Sequence, residues 1–284
     1  MDVRSTQPTV QHPKKQRLDT LLTERELVDS REQAKRLILA GEVLIDGEPH
    51  SKPGQRVPAD ASIEIKQPLR YVSRGGLKLE KALQVFGVDV SGKTALDVGA
   101  STGGFTDCLL QHGAGHVFAV DVGYGQLAWK LRQDSRVHVI ERLNARGMDA
   151  SLFDLPVEIC VVDVSFISLR AVLPAVKRCV GAGSDLILLI KPQFEAGREY
   201  VDKGGVVRDF RVHVNVIRTL VQFVEGMGMS VSGITYSPIR GPAGNVEYLL
   251  WINEDGDGTA SWAVGIAERV VEEAHRAFDG GRSQ

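Results

Sequence analysis

Five apolar runs limit what this chain can become. Ala95–Val98, Val117–Asp121, Val137–Glu141, Ile159–Val164 and Leu186–Lys191 are hydrophobic without the in-out alternation of a half-exposed strand, and helical stretches separate them. Continuous hydrophobicity marks strands covered on both faces, and strands alternating with helices build a parallel sheet. The expected fold is therefore α/β, with a mostly parallel sheet. Ser230–Tyr236 and Glu247–Ile252 follow one another with no helix between them, which predicts a final antiparallel strand. Trp262, Ile266, Val270, Ala274 and Phe278 recur every four residues and predict a C-terminal helix packed on that sheet.

Before these runs the pattern is compact and short in period. Residues 1–16 are polar, lack an apolar core, and read as a flexible tail rather than a secretory signal. Leu18, Leu21 and Leu22 give one helix face. Ser30 is placed to cap a second helix with the stripe Ala34, Leu37 and Ile38, which Gly41 ends. Val43 and Ile45 alternate, and Asp46-Gly47 is a hairpin turn signal. Arg17, Arg31, Lys35 and Lys52 gather basic charge on this small module, as phosphate neutralisation requires; a solvated helix face is the plainer alternative. Arg17-Leu18-Asp19, the run from Ser30 to Ile38, Gly41-x-Val43-x-Ile45-Asp46-Gly47 and Lys52-Pro53-Gly54 together resemble the S4 RNA-binding domain. That resemblance implies a small α+β domain over residues 17–66, contacting structured RNA through shape and backbone, and a linker at 67–72.

Leu96-Asp97-Val98-Gly99-Ala100-Ser101-Thr102-Gly103-Gly104-Phe105 is a strand, a small-residue loop and a helix start. Small residues admit a ligand close to the backbone, and α/β sheets bind ligands beyond the carboxyl ends of their strands. The loop is neither a P-loop nor G-x-G-x-x-G. Asp97 at its entrance suits a cationic ligand end better than a pyrophosphate. Asp121 ends the next strand, placed for ribose hydroxyls, with Val122 beside it. Asn144 after the third strand is a candidate adenine contact. Arg142 and Arg146 flank it as candidate RNA clamps, with surface salt bridges as the alternative. Tyr124 and Trp129 read as packing residues. The pocket looks like that of an S-adenosylmethionine-dependent methyltransferase, with a class I, Rossmann-like sheet.

The chemistry at the strand ends narrows the acceptor. The fourth strand ends in Asp163-Val164-Ser165-Phe166, not the Asn/Asp-Pro-Pro-Tyr of enzymes that methylate exocyclic amines. Cys160 lies inside the apolar run, where it reads as a packing residue rather than a nucleophile for carbon methylation. What remains is a set of four charges: Lys78, Asp163, Lys191 and Glu247. A lysine ending a buried strand is costly unless paired. A ribose 2′-hydroxyl must lose its proton as it attacks, and a desolvated lysine near a second ammonium is suited to take it. Lys191 is the expected base and Lys78 the second cation. Asp163 and Glu247 would orient them, and an ordinary ion-pair network is the alternative. The set matches the pattern of the FtsJ/RrmJ-like ribose 2′-O-methyltransferases.

Both modules, together with Ser73-Arg74-Gly75-Gly76-x-Lys78, the run from Asp121 to Leu131 and Gly241-Pro242-x-Gly244-Asn245-x-Glu247-Tyr248, resemble the TlyA family. The resemblance implies 2′-O-methylation of cytidine in ribosomal RNA of the large subunit and, for longer members, of the small one. It also implies an influence on sensitivity to capreomycin and related antibiotics. The methyltransferase domain is expected over 73–253, with an acidic segment and helix over 254–284. A ribosome-assembly factor with a vestigial pocket and a membrane-active haemolysin, the family's historical label, are competing classes. No apolar run is long enough to span a membrane, and three cysteines without a C-x-x-C pair fit a cytoplasmic protein. Seven scattered histidines offer no metal ligand set, and no obligate protein partner is evident. The net charge of −2 would weigh against RNA, but it is unevenly spread. Residues 1–82 hold 15 basic and 12 acidic side chains, whereas residues 254–284 hold three and seven.

Overall fold

Leucine spacing in the first helix sets the core of the N-terminal unit. The structure, a computed structural model, describes residues 15–28, 30–65, 70–253 and 265–279, in two units divided at residues 69 and 70. The first unit contains β1 (Lys15–Arg17), α1 (Leu18–Glu24), α2 (Arg31–Leu39), β2 (Val43–Ile45), β3 (Glu48–His50), β4 (Arg56–Pro58) and β5 (Ile63–Ile65). Leu18, Leu21 and Leu22 of α1 pack with Ala34 and Ile38 of α2 and with Val43, Ile45 and Val57. Ser30 Oγ accepts a hydrogen bond from Gln33 N at 3.2 Å and so caps α2. Asp46 and Gly47 both have positive φ (50° and 84°), the conformation a two-residue hairpin needs to match strand twist, and they join β2 to β3. Lys15 and Gln16, expected in the tail, form a strand instead and pair with Pro58 and Val57.

The second unit contains α3 (Gly75–Phe86), β6 (Thr94–Val98), α4 (Gly104–Gln111), β7 (His116–Val120), α5 (Trp129–Arg132), β8 (Val137–Ile140) and β9 (Val157–Val162). It continues through α6 (Leu169–Cys179), β10 (Val180–Ile190), α7 (Pro192–Glu195), α8 (Phe210–Gly226), β11 (Ser230–Tyr236), β12 (Tyr248–Asn253) and α9 (Ile266–Asp279). Its seven strands lie in the order β11-β12-β10-β9-β6-β7-β8. The five strands of the apolar runs are mutually parallel, and β12 is antiparallel to both its neighbours. The continuous hydrophobicity has the expected cause. Leu96, Val98, Phe118, Val120, Cys160, Val162, Leu186 and Leu188 pack on one face beneath α6, α8 and α9. Ala95, Val117, Ala119, Ile159, Val161, Ile187 and Leu189 pack on the other with α3 and α4.

Two boundaries differ from expectation. Of the linker placed at 67–72, residues 67–69 lie outside the described residues, but Arg70, Tyr71 and Val72 belong to the second unit. Tyr71 is buried against α3, where a Cβ on Gly76 would fall 2.2 Å from its ring, and Arg70 pairs with Glu80. The C-terminal helix is present with Val270 and Ala274 buried, while Trp262 and the acidic stretch from Glu254 lie outside the described residues. Among the described residues no helix is long and apolar enough to cross a membrane.

Candidate active site

The chain runs from β6 outward to β7 and β8, then returns to place β9 and β10 on the other side of β6. Such a reversal opens a crevice beyond the carboxyl ends of the strands, here between β6 and β9. Gly99 follows β6 with φ of +88°, and a Cβ there would lie 2.4 Å from the carbonyl oxygen of Asp163, which follows β9. Only a residue without a side chain lets the two strand ends come this close.

A cavity of about 480 Å³ occupies this crevice. Of the residues expected to hold a cofactor, Gly99, Ser101, Asp121, Val122, Asn144 and Asp163 line it. Asp121 is fixed at both carboxylate oxygens, which accept hydrogen bonds from Ser101 N at 2.8 Å and Gly123 N at 2.6 Å. Asn144 Oδ1 accepts from Arg146 N at 3.1 Å. Ala100, Thr102, Gly103 and Phe105 do not line the cavity. Ala100 and Phe105 are core residues, Gly103 caps α4, and the Thr102 carbonyl accepts from Ala128 N, so all four shape the turn.

Asp97 does not line the cavity either. Its carboxylate is fully buried and accepts from Thr106 Oγ1 at 2.6 Å, and burial, the largest influence on it, pushes its pKa up to about 7. Oδ2 braces the start of α4 from below, while Oδ1 is buried without a hydrogen-bond partner. Sequence reasoning missed Gln126, Leu143, Ser165, Phe166 and Ile167, all of which line the cavity. Phe166 is 92% exposed at a φ of +64°, a conformation no local sequence pattern announces.

Two ion pairs stand beside the cavity, the first buried and the second opening onto it through Asp163. Lys78, in the first turn of α3, lies 2.5 Å from Glu247, which precedes β12. Lys191, which follows β10, lies 2.6 Å from Asp163. Both lysines are buried, and Glu247 is 1% exposed. Burial raises the Glu247 carboxyl above its ordinary range, and the charges of Lys78 and Lys191 oppose that rise. All four expected charges thus converge from α3 and the ends of β9, β10 and the turn before β12. Cys160 is fully buried, with its thiol pushed well above the usual range, as a packing residue should be.

The candidate RNA contacts fall in two places. In the first unit Arg17 and Arg31 converge on the buried Asp19 at 2.9 and 3.1 Å, which leaves each guanidinium about half exposed, while Lys35 and Lys52 are exposed. In the second unit Arg142 stacks its guanidinium 4.2 Å from the centre of the Tyr124 ring. Tyr124 and Trp129, expected to pack, are instead 69% and 73% exposed. Tyr124 lies in the loop whose Gly123 N donates to Asp121, and Trp129 is the first residue of α5.

Comparison with known proteins agrees with this architecture. The family model described as FtsJ-like methyltransferase matches residues 71–254, and the S4 domain model matches residues 16–63. YqxC of Bacillus subtilis is 51% identical over 270 residues, covering 93% of this chain and 96% of the relative. A Mycobacterium tuberculosis protein named 16S/23S rRNA (cytidine-2′-O)-methyltransferase TlyA is 45% identical over 267 residues, covering 93% and 98%. A solved structure from Streptococcus thermophilus, whose name includes hemolysin, is 42% identical with a TM-score of 0.72, covering 96% of this chain and all of that one. With the domain order, the glycine-lined crevice and the four converging charges in place, the chain belongs to the FtsJ-like methyltransferases, in the S4-bearing TlyA family.

Proposed function

We propose that this chain methylates the 2′-oxygen of a cytidine ribose in ribosomal RNA, in the 23S and also the 16S molecule, using S-adenosylmethionine. The convergence of Lys78, Asp163, Lys191 and Glu247 beside the cavity carries this reading. The cavity suits the donor. Its volume lies in the range of small-molecule sites, Gly99 lets the ends of β6 and β9 come together at its wall, and Asp121 and Asn144 supply polar groups for the ribose and adenine ends. When bound, S-adenosylmethionine supplies a methyl group on a cationic sulfur that a ribose oxygen can accept.

The protein supplies the proton transfer and the alignment. Neutral Lys191 accepts the proton of the 2′-hydroxyl as that oxygen attacks, and Asp163 holds the resulting ammonium. Lys78, kept in place by Glu247, sets a second positive charge by the oxygen that becomes negative. Lys78, Lys191 and Glu247 are buried, which strengthens these fields relative to water. Arg17, Arg31, Lys35 and Lys52 of the S4 unit anchor rRNA phosphates, with Arg142 and Arg146 clamping RNA at the cavity edge. The protein would work in the cytoplasm, where its three cysteines, all buried and unpaired, stay reduced. Cells lacking the activity would lose sensitivity to capreomycin and viomycin.

Lys191→Ala tests the mechanism. Transfer to rRNA should fall by roughly 10²–10⁴-fold, the usual worth of a general base, while calorimetry shows S-adenosylmethionine still bound. Unchanged turnover would sink the assignment.

A further inference from the structure

Lys191 has a second partner that the proposed chemistry does not yet use. Its Nζ donates to Ser165 Oγ at 2.8 Å, besides the contact with Asp163 at 2.6 Å. Ser165 lines the cavity together with Asp163 and Phe166. An amine nitrogen is tetrahedral. On Lys191 one direction goes to Cε and one N–H is held by Ser165 Oγ, and in the neutral amine one of the remaining two is the lone pair. Holding that N–H on Ser165 limits the rotation that would turn the lone pair away, while the Asp163 carboxylate beside it supplies charge rather than direction.

The neighbouring chain keeps this arrangement stiff. Glu195, on the short helix that begins directly after Lys191, accepts from Ser168 Oγ at 2.6 Å and from Leu169 N at 2.6 Å. The segment carrying Ser165 is thereby tied to the segment carrying Lys191. The positive φ of Phe166 sets the bend between Ser165 and that tie. We propose that Ser165 is the positioning residue that aims the lone pair of Lys191 at the acceptor hydroxyl. This role rests on Lys191 being the base. In the step itself the O–H bond of the 2′-hydroxyl breaks and an N–H bond forms on Lys191. Ser165 neither gains nor loses a proton: it accepts from the amine before the step and from the ammonium after it.

The test compares Ser165→Ala, Ser165→Thr and Lys191→Ala by methyl transfer to rRNA across a pH series, with S-adenosylmethionine affinity measured by calorimetry. Loss of aim in Ser165→Ala should lower kcat roughly 10–100-fold with KM for RNA and cofactor affinity unchanged. The deficit should be the same at every pH, because direction is lost and not charge state. Threonine keeps the hydroxyl and should restore most of the rate. Wild-type kcat in Ser165→Ala beside an inactive Lys191→Ala would overturn the role of Ser165 and leave the base assignment standing. A deficit that vanishes at high pH, or one explained by weaker cofactor binding, would overturn it as well. Normal turnover by Lys191→Ala would instead remove the base assignment, and the positioning role with it.

Discussion

At the scale of single residues, the buried carboxyls show how position decides chemistry. Asp97 and Asp121 end adjacent strands, yet Asp121 meets the cavity while Asp97 is sealed beneath the loop. Alternation along β6 explains the difference, since Asp97 faces the same side as Ala95, opposite Leu96 and Val98. Its carboxyl, near 7 when folded against an ordinary value of 3.8, makes stability depend on pH. A carboxyl raised by folding stabilises the fold fully below its unfolded pKa, and that contribution is lost as pH rises through the folded value. Asp97→Asn keeps the acceptor for Thr106 without the charge, so thermal melts from about pH 5 to about pH 8 should fall less in the variant than in the wild type. Equal slopes would show that Asp97 carries no such cost. Asp163, Lys191 and Glu247 were legible in the sequence because a lysine or carboxylate at the end of an apolar run is expensive and needs a reason; Lys78, at a helix start, was legible only through the family pattern. Ser165 and Phe166 were not legible, since a small hydroxyl and an exposed ring carry no such penalty.

At the scale of elements, the active site depends on how closely β6 and β9 end. Gly99→Ala would set a methyl group against the Asp163 carbonyl in a backbone conformation that disfavours a side chain. Strain and overpacking together should cost about 2–4 kcal/mol, read as a lower denaturation midpoint, and cofactor affinity should fall with it. A stable variant with normal affinity would mean the two strand ends can part without consequence. The strands themselves were plain in the sequence because burial on both faces leaves no room for polar alternation. The loop after β7 was harder to read. Tyr124 and Trp129 look like core residues by composition, yet both are exposed, the first in the loop after β7 and the second at the start of α5.

At the scale of the whole molecule, charge is divided between modules rather than summed. The near-neutral total hides an excess of basic residues over 1–82, and two of its arginines are held by the buried Asp19 with their outer edges exposed. Replacing Lys35 and Lys52 by glutamate should weaken rRNA binding and reduce its logarithmic salt dependence by about one unit for each phosphate no longer neutralised. S-adenosylmethionine affinity should stay unchanged in that variant. RNA affinity that is unaffected would assign those lysines to an ordinary solvated surface. The identity of the methylated atom decides the function of the whole molecule. Mass-spectrometric mapping of ribosomal RNA, treated with S-adenosylmethionine and either the wild-type chain or Lys191→Ala, reads that atom directly. The expected result is a methyl group on the 2′-oxygen of a cytidine with the wild type and none with the variant; a methyl group on a base, or the same ribose mark made by both proteins, would contradict it.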